Sequence, residues 1–514
     1  MRPAGRVWAP LILLAASMVA VASSASASCA PAAHPGGEWR SYGHDLANSR
    51  TQDLERTIGP LRAAQLKARW VVSSSTLGGS GQFNGTTVVA DGCAFVASSD
   101  GWVFALNADT GALVWKTQLS SSPFFLAPGI TGSVAVVGGR VYAVVDKVGS
   151  PYVVALDEGT GGLAWSSVVD SSPSSFVAAS PAVWNGVVFA GFSGDEYDHT
   201  SKPAGEDIGL GPGSTGRGGY AIFDASTGAP LAHAFTIPDA DYAFGYRGAS
   251  IWGSAAVDAG TGYAYVGTGN PGGHARGSQV RLDHPHADAI LKIDLDRTRS
   301  TFGQIVAAYK GTREQYVTGL DHQPACTKAG NLEYGSSGPA WSLGCVQFDV
   351  DFGASPNLFN DPSGRPLVGA LQKAGVYHAV MRSTMSRAWT AIMGVPCFAC
   401  NGSSTATDGR AIYADASPPS QMVSVTTGGA DRWVSPVGDL IHYESVSTAD
   451  GVVYTIDGNG TLDGFDAATG LPILRHPLTL DTHQDESGNV ASSGVAIARD
   501  TVYVLVSDFV IAYQ

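Results

Sequence analysis

Three residues next to short apolar segments of this chain have side-chain oxygen atoms that can bind a metal ion. They are Glu196 in the segment GFSGDE, Asn270 in GTGNP and Asp349 in FDVDFGASP. Carboxylate and amide oxygens are the groups that bind hard divalent cations such as Ca²⁺ in proteins. A cation held in this way acts as a Lewis acid on a neighbouring oxygen atom. The three residue types would suit a hard cation if the fold brought them together, which their positions in the sequence alone do not show.

Each of these residues also has a simpler interpretation when it is taken alone. A glutamate at a strand end is usually a solvated turn residue, and Asn270 before Pro271 is common turn chemistry. Asp349 would in that case cap a turn. The choice between these interpretations depends on the elements that carry the residues.

A repeated segment predicts those elements. ALNADTGALVW at 105–115 returns as ALDEGTGGLAW at 155–165, and such a period indicates stacked copies of one supersecondary unit. Two β-rich runs joined by Gly, Asp and Ser precede each copy, and degraded copies continue to make eight units in all. The sequence predicts an all-β, eight-bladed β-propeller. Glu196, Asn270 and Asp349 would then lie at corresponding strand ends of successive blades, at one mouth of the central channel.

The two ends of the chain are predicted to complete one blade together. The last unit contains a single hairpin, TVYVLVSDFVIAY from Thr501, whereas a lone strand-like segment, KARWVVSSS, surrounds Trp70. Pairing these segments closes the ring and leaves no open sheet edge.

The charge of the chain indicates which classes of binding partner are excluded. Charged residues make up only 14% of the chain and the net charge is −14, without basic runs. An acidic surface of this kind argues against nucleic acid and against anionic membranes as partners.

The N-terminus is predicted to be an export signal. Arg2 and Arg6 precede an apolar stretch at 8–22, and Ala25-Ser26-Ala27 suits cleavage by a signal peptidase. We therefore divide the chain into a signal peptide at 1–27, an N-terminal arm at 28–60 and the propeller at 61–514. The mature protein is expected to be secreted, either extracellular or periplasmic. Ser26 stands where lipoprotein signals usually carry leucine, which argues against lipid anchoring at Cys29.

Six cysteines form an even set in an exported chain, at positions 29, 93, 326, 345, 397 and 400. Disulfides are expected in an oxidising compartment, although the sequence alone leaves the pairing open. Cys29 with Cys93 would tie the arm to the first complete blade, and Cys326 with Cys345 would close a loop. The C-x-x-C pair at 397–400 is interpreted as a local disulfide rather than a redox or metal pair.

The repeat A-x-D-x-x-T-G-x-x-x-W resembles the blade signature of the dehydrogenases that depend on pyrroloquinoline quinone (PQQ). WRSYGHDLANSRTQ at 39–52 is similar to the start of the mature chain in the polyvinyl-alcohol-dehydrogenase-like branch of that family. The resemblance covers nearly all of the mature chain. Outer-membrane assembly propellers share these repeats and bind no quinone, so the residues of the site must decide the function.

The resemblance implies a metal set. In the family, a calcium ion next to PQQ is held by a Glu, an Asn and the catalytic Asp, and the matching residues here are Glu196, Asn270 and Asp349. Asp349 is also the implied general base. Asp351 resembles the extra carboxylate of lanthanide-using members, but sugar-oxidising relatives carry it too, so calcium is expected first and a lanthanide second. The assignment of the base is open by two residues, with Asp349 preferred to Asp351.

The resemblance also implies the quinone contacts. Trp252 matches the indole on which PQQ lies, Ser193 a nearby quinone contact, and Lys373 in LQKAGVY a cation beside the quinone oxygens. The simpler interpretations are a core tryptophan and an exposed hairpin lysine.

Two departures from the family pattern bear on function. The vicinal cysteine pair of many alcohol dehydrogenases has no match, and no C-x-x-C-H segment occurs, so covalent haem is not expected. Electrons would leave to a separate acceptor, a cytochrome c or a quinone. The resemblance implies a secreted PQQ-dependent dehydrogenase of alcohols, favouring secondary or polymeric alcohols such as polyvinyl alcohol. The alternative is a non-catalytic propeller that binds protein or polysaccharide without quinone.

Overall fold

The structure is a computed structural model. It describes residues 27–119, 130, 132–147, 149–194, 216–272, 282–311, 350–395, 401–416, 420–438, 445–487 and 493–514.

Short elements in the N-terminal part of the chain precede the first four blades. The first are β1 (Thr51–Gln52), α1 (Pro60–Ala63), β2 (Ala68–Ser73) and β3 (Gly85–Thr86). Blade 1 contains β4 (Val88–Ala90), β5 (Cys93–Ala97), β6 (Trp102–Asn107) and β7 (Leu113–Gln118). Blade 2 contains β8 (Ala135–Val137), β9 (Arg140–Val145), β10 (Tyr152–Asp157) and β11 (Leu163–Val168). Blade 3 contains β12 (Ala182–Trp184), β13 (Val187–Phe192), β14 (Gly219–Asp224) and β15 (Pro230–Phe235), and is followed by α2 (Asp239–Phe244) and β16 (Arg247–Gly248). Blade 4 spans β17 (Ala256–Asp258), β18 (Tyr263–Gly267), β19 (Pro271–Gly272), β20 (Ala289–Asp294) and β21 (Ile305–Lys310), with β19 pairing β16 outside the blade sheet.

The remaining blades follow the same plan. Blade 5 contains β22 (Asn357–Asn360), β23 (Pro366–Gln372), β24 (Val376–Met381) and β25 (Arg387–Ile392). Blade 6 contains β26 (Ala406–Thr407), β27 (Ala411–Ala416), β28 (Gln421–Thr426) and β29 (Asp431–Pro436). Blade 7 contains β30 (Ser447–Ala449), β31 (Val452–Asp457), β32 (Thr461–Asp466) and β33 (Pro472–Pro477), and is followed by α3 (Thr479–Thr482) and β34 (Ser493–Gly494). The last strands are β35 (Ala496–Ala498), β36 (Thr501–Val506) and β37 (Phe509–Tyr513).

Ring closure uses strands from both ends of the chain. β2 pairs with β37 to complete the sheet β2-β37-β36-β35, with Trp70 opposite Ala512. The predicted eight-bladed propeller and its shared last blade are therefore confirmed. Each blade is an antiparallel meander in which the innermost strand is only two to four residues long.

The repeat signature is explained by contacts between neighbouring blades. The indole of Trp115, at the end of one repeat, donates a hydrogen bond of 2.8 Å to the carbonyl of Glu158 in the next. Gly161 of that next repeat has a φ of +70° and lies so close to this indole that a Cβ atom would come within 2.5 Å of it. The Thr-Gly turn thus needs glycine for its conformation and for the space that the tryptophan fills.

The N-terminal arm closes one end of the central channel. Its carbonyl groups accept backbone hydrogen bonds from the innermost strands of six blades, with donors Val89, Val136, Val257, Leu358, Thr407 and Thr448. Each donor lies within an innermost strand, whereas the segment that leads into that strand lies further along the channel, away from the arm. The segments before the innermost strands are therefore at the opposite mouth of the channel.

Arg50 fills the closed end. It is fully buried, its Nε donates to the carbonyl of Val446 at 2.7 Å and its Nη1 donates to that of Tyr42 at 2.7 Å. Burial lowers the pKa of Arg50 to about 10, so the guanidinium stays charged near neutral pH. The predicted disulfide between Cys29 and Cys93 is present and ties the arm to blade 1.

The other four cysteines, at 326, 345, 397 and 400, lie outside the described residues. None of the helices in the described part of the chain has the length and apolar character to cross a membrane.

Candidate functional site

Trp252, Asp351 and Lys373 form a cluster at the open mouth of the channel. The indole Nε1 of Trp252 donates a hydrogen bond of 3.1 Å to Oδ2 of Asp351. The Nζ of Lys373 lies 3.0 Å from Oδ1 of Asp351 and 4.7 Å from the centre of the Trp252 ring. The cluster thus combines a carboxylate, a cation and an aromatic face.

The elements of blades 4 and 5 bring these residues together. Trp252 precedes β17, Asp351 precedes β22, and Lys373 occupies the turn between β23 and β24. The Lys373 N–H donates to the Asp351 carbonyl at 3.0 Å. The side-chain amide of Asn401 donates to the Lys373 carbonyl at 3.1 Å, which fixes the turn from the other side.

Gly353 makes the close packing possible. A Cβ atom at this position would lie 2.7 Å from Cη2 of Trp252 and 3.3 Å from Cε of Lys373. The indole is rigid and cannot move aside at low cost. Glycine is therefore needed here for space, because no side chain fits between the two residues.

The ion pair between Lys373 and Asp351 is almost completely shielded from solvent. The side chain of Asp351 is 3% exposed and that of Lys373 is 8% exposed. A buried charge is costly without a partner of opposite charge, and this contact supplies one to each of the two residues. Trp252 is only partly buried.

Asn270 and Ser193 stand at the same mouth. Asn270 follows β18 and is buried, and its carbonyl accepts the Ala249 N–H at 2.9 Å. Ser193 follows β13, is 1% exposed and pairs with Phe176 through two backbone bonds. Among the described residues, the hydroxyls of Ser193 and Ser250 are buried without a hydrogen-bond partner.

Buried hydroxyls without partners are uncommon, because each loses its contacts with water on folding. Ser193 follows β13 and Ser250 stands two residues before Trp252, so both belong to the segments at the mouth that carries the cluster. Asn270 and Asp351 add oxygen donors of the kind that a hard cation prefers. In the part of the chain that the structure describes, no group of three or more His, Cys, Asp or Glu side chains has metal-binding geometry.

The predicted site residues divide into two groups. Ser193, Trp252, Asn270 and Lys373 are described and occupy the same mouth, and Lys373 is buried rather than exposed. Glu196 and Asp349 lie outside the described residues, so their roles stay predictions.

Asp351, which the sequence made the second choice, is the carboxylate that contacts Trp252 and Lys373. The sequence analysis missed Ser250, Gly353 and Asn401. Ser250 stands two residues before Trp252, and Gly353 two after Asp351, but nothing in their type marks them as part of a site.

Comparison with known sequences gives two matches. The family model described as outer membrane protein assembly factor BamB matches residues 54–273. A polyvinylalcohol dehydrogenase from Pseudomonas sp is 23% identical over 359 residues, which cover 67% of this chain and 49% of that protein. The chain thus matches about half the length of this curated relative.

Solved structures share the fold over most of the chain. A quinohemoprotein alcohol dehydrogenase from Comamonas testosteroni has a TM-score of 0.68 at 17% identity, covering 94% of this chain and 81% of that one. A europium-containing methanol dehydrogenase has a TM-score of 0.67 at 14% identity, covering 92% and 90%. BamB from Moraxella catarrhalis has a TM-score of 0.52 at 14% identity, covering 87% and 97%. The resemblance to the PQQ-dependent dehydrogenase propellers is confirmed, and at these identities the structures show the fold alone.

Proposed function

We propose that this protein is a secreted oxidoreductase that oxidises alcohols with PQQ as its cofactor. The observation that carries the proposal is the cluster of Trp252, Asp351 and Lys373 at the open mouth of the channel. An aromatic face, a buried carboxylate and a buried cation in contact are the groups that quinone-dependent alcohol oxidation needs. A buried ion pair often adds little net stability over apolar packing, which supports a functional reason for this one.

When bound, PQQ would accept the hydride equivalent from the alcohol carbon while Ca²⁺ polarises the accepting carbonyl. Trp252 would support the quinone ring through the face of its indole, and the hydroxyl of Ser193 would donate to a quinone oxygen. Lys373 would stabilise negative charge that develops on the quinone oxygens. The two electrons then pass to a separate acceptor, a cytochrome c or a quinone.

Asp351 is the general base in this proposal. Its carboxylate lies 3.0 Å from the Nζ of Lys373 and accepts the Trp252 N–H at 3.1 Å, which orients it. It would take the hydroxyl proton as the alcohol carbon becomes a carbonyl carbon. Asp349 remains the alternative base, because it stands only two residues earlier in the chain.

The metal would be held by Asn270, by the base and by Glu196. Calcium is the first expectation, and a lanthanide is the alternative, since an additional carboxylate is available at 349 or 351. Secondary or polymeric alcohols are the proposed substrates, and the similarity to a polyvinylalcohol dehydrogenase supports this choice. Secretion is supported by the disulfide between Cys29 and Cys93, which belongs to an oxidising compartment.

Quinone titration tests the proposal. Purified protein is mixed with PQQ and Ca²⁺, and tryptophan fluorescence is followed in the wild type, in Trp252→Phe and in Trp433→Phe. Trp433 packs between blades 6 and 7, where its indole bonds to the Ala467 carbonyl. Quenching should saturate in the wild type and in Trp433→Phe and be reduced in Trp252→Phe. Reduction of a dye should require an alcohol, and inactivity with primary, secondary and polymeric alcohols and with aldose sugars would overturn the enzymatic function.

The second candidate is a propeller that binds protein or polysaccharide without a quinone. The match to the BamB family model over residues 54–273 favours it. It gives no reason for a buried ion pair against Trp252 at the open mouth. A flat fluorescence titration would support this second candidate.

A further inference from the structure

A belt of hydroxyl groups runs around the channel between the open mouth and the N-terminal arm. In five successive steps, the backbone N–H of one belt residue donates to the side-chain oxygen of the next, at 2.7 to 3.0 Å. The residues, one from each of blades 1 to 6, are Thr86, Ser133, Ser180, Ser254, Ser355 and Ser404.

The N-terminal arm completes this serine belt. The Tyr42 hydroxyl lies 2.7 Å from Oγ of Ser404 and 2.8 Å from Oγ of Ser445. Arg50 Nη2 then donates to Ser447 at 3.0 Å and to Thr86 at 3.3 Å. The arm thus links the last belt serine back to the first blade.

One link of the belt lies directly beneath the candidate site. Ser254 stands two residues after Trp252, and Ser355 four residues after Asp351. The Ser254 N–H donates to Oγ of Ser355 at 2.9 Å. This bond therefore joins the two segments whose separation determines the contact between Trp252 and Asp351.

The backbone of Ser355 is held as well, by the next residue of the belt. Ser355 donates its own N–H to Oγ of Ser404 at 2.9 Å. The Ser355 side chain is buried, so water does not replace a lost bond at this point.

We propose that Ser355 is a positioning residue for the cofactor site, acting through Trp252 and Asp351. Its hydroxyl fixes the distance between the starts of β17 and β22, and thereby the indole that supports the quinone and the carboxylate that takes the proton. The role in quinone binding rests on the proposed function. The effect on the contact between Trp252 and Asp351 is a property of the protein without cofactor.

The test compares Ser355→Ala with Ser133→Ala. Both serines are 3% exposed and both accept one backbone N–H, but Ser133 links blades 1 and 2, away from the cluster. The first readout is the indole N–H resonance of Trp252 in quinone-free protein labelled with ¹⁵N-tryptophan and assigned with Trp252→Phe. Loss of the Ser355 hydroxyl should shift this resonance, whereas Ser133→Ala should leave it in place.

The second readout is the dissociation constant for PQQ in the presence of Ca²⁺. Outer contacts of this kind change affinity by roughly 10–100-fold, and we expect a weakening in that range for Ser355→Ala only. Ser355→Thr keeps the hydroxyl, and Thr86 shows that threonine fits an equivalent belt position. It should restore both readouts, and it keeps the test valid if Ser355→Ala does not fold.

Equal melting temperatures with equal indole shifts and equal affinities in the two alanine variants would overturn the inference. A wild-type protein that binds no PQQ would instead overturn the proposed function. The indole comparison is made without quinone, so the two failures are distinguishable.

Discussion

The indole of Trp252 donates a hydrogen bond to Asp351 at 3.1 Å, although the two residues are 99 positions apart in the chain. The bond joins the starts of the innermost strands of blades 4 and 5 at the open mouth. Lys373 contacts both residues, so a change in one of the three alters the environment of the other two.

The first prediction separates Asp351 from Asp349 as the base. Asp351→Asn keeps the size of the side chain and an oxygen ligand, but it removes the negative charge beside the buried Lys373, so stability should fall while folded protein and part of the quinone affinity remain. Turnover should fall by roughly 10²–10⁴-fold, which is the usual contribution of a positioned general base. Asp349→Asn is the matched control and should keep most of the activity. The reverse pattern in steady-state kinetics would assign the base to Asp349.

The second prediction concerns the charge of Lys373. Lys373→Met leaves the carboxylate of Asp351 buried without its cation, which should lower the free energy of unfolding by about 3–5 kcal/mol. The double variant Lys373→Met with Asp351→Asn removes both charges and should recover most of this loss. Urea unfolding of the quinone-free proteins measures the difference. An additive double variant would show that the two charges do not depend on each other.

The third prediction uses the tight space at Gly353. Gly353→Ala places a methyl group 2.7 Å from the Trp252 ring, so the indole must move. The contact with Asp351 should be lost, and quinone affinity should fall by roughly tenfold or more, as when outer contacts of a site are removed. Gly159→Ala is the control, because its added Cβ would meet nothing closer than 3.7 Å. Fluorescence titration of both variants gives the answer, and equal affinities would contradict the structural role of Gly353.

The fourth prediction is a pH dependence of stability. Burial, with a smaller effect of the Arg387 charge, lowers the pKa of His378 from its usual 6.5 to about 3. His378 is neutral between Gln372 and Tyr309, with ring nitrogens 2.8 and 3.0 Å from their oxygens. Below its usual pKa the unfolded chain binds a proton that the folded protein does not. The stabilisation is therefore complete above about pH 6.5 and declines as the pH falls toward about 3.

Urea unfolding at about pH 7.5 and about pH 5 measures this decline. The wild type should lose about 2 kcal/mol more between these two values than His378→Gln, since one pKa unit corresponds to about 1.4 kcal/mol. An identical loss in both proteins would mean that His378 is not responsible.

The repeat pattern was enough to predict the fold because its residues make the contacts between neighbouring blades. The Thr-Gly turn and the closing tryptophan of each repeat meet between adjacent blades, as Trp115 and Gly161 do, so the spacing in the sequence reflects the packing directly. Ring closure through the segment around Trp70 and the disulfide from Cys29 to Cys93 were likewise predicted and are confirmed.

The assignment of the base could not be made from the sequence alone. Asp349 and Asp351 are the same residue type two positions apart, so the family motif matches either of them. The structure describes the contacts of Asp351 with Trp252 and Lys373, whereas Asp349 lies outside the described residues, so the choice between the two stays a prediction. The serine belt escaped prediction because serine is common in loops and its bonds join residues that are roughly 50 to 100 positions apart.

The strand pairing between Trp70 and Ala512 determines when folding can finish. β2 is synthesised early but finds its partner, β37, only after nearly the whole chain has been made, so the contact order of this blade is very high. Folding dominated by such distant contacts is slow, and strand edges that are still unpaired during folding promote aggregation. The last strand, β37, thus completes the ring by pairing with both β2 and β36, and shortening it should reduce the yield of folded protein.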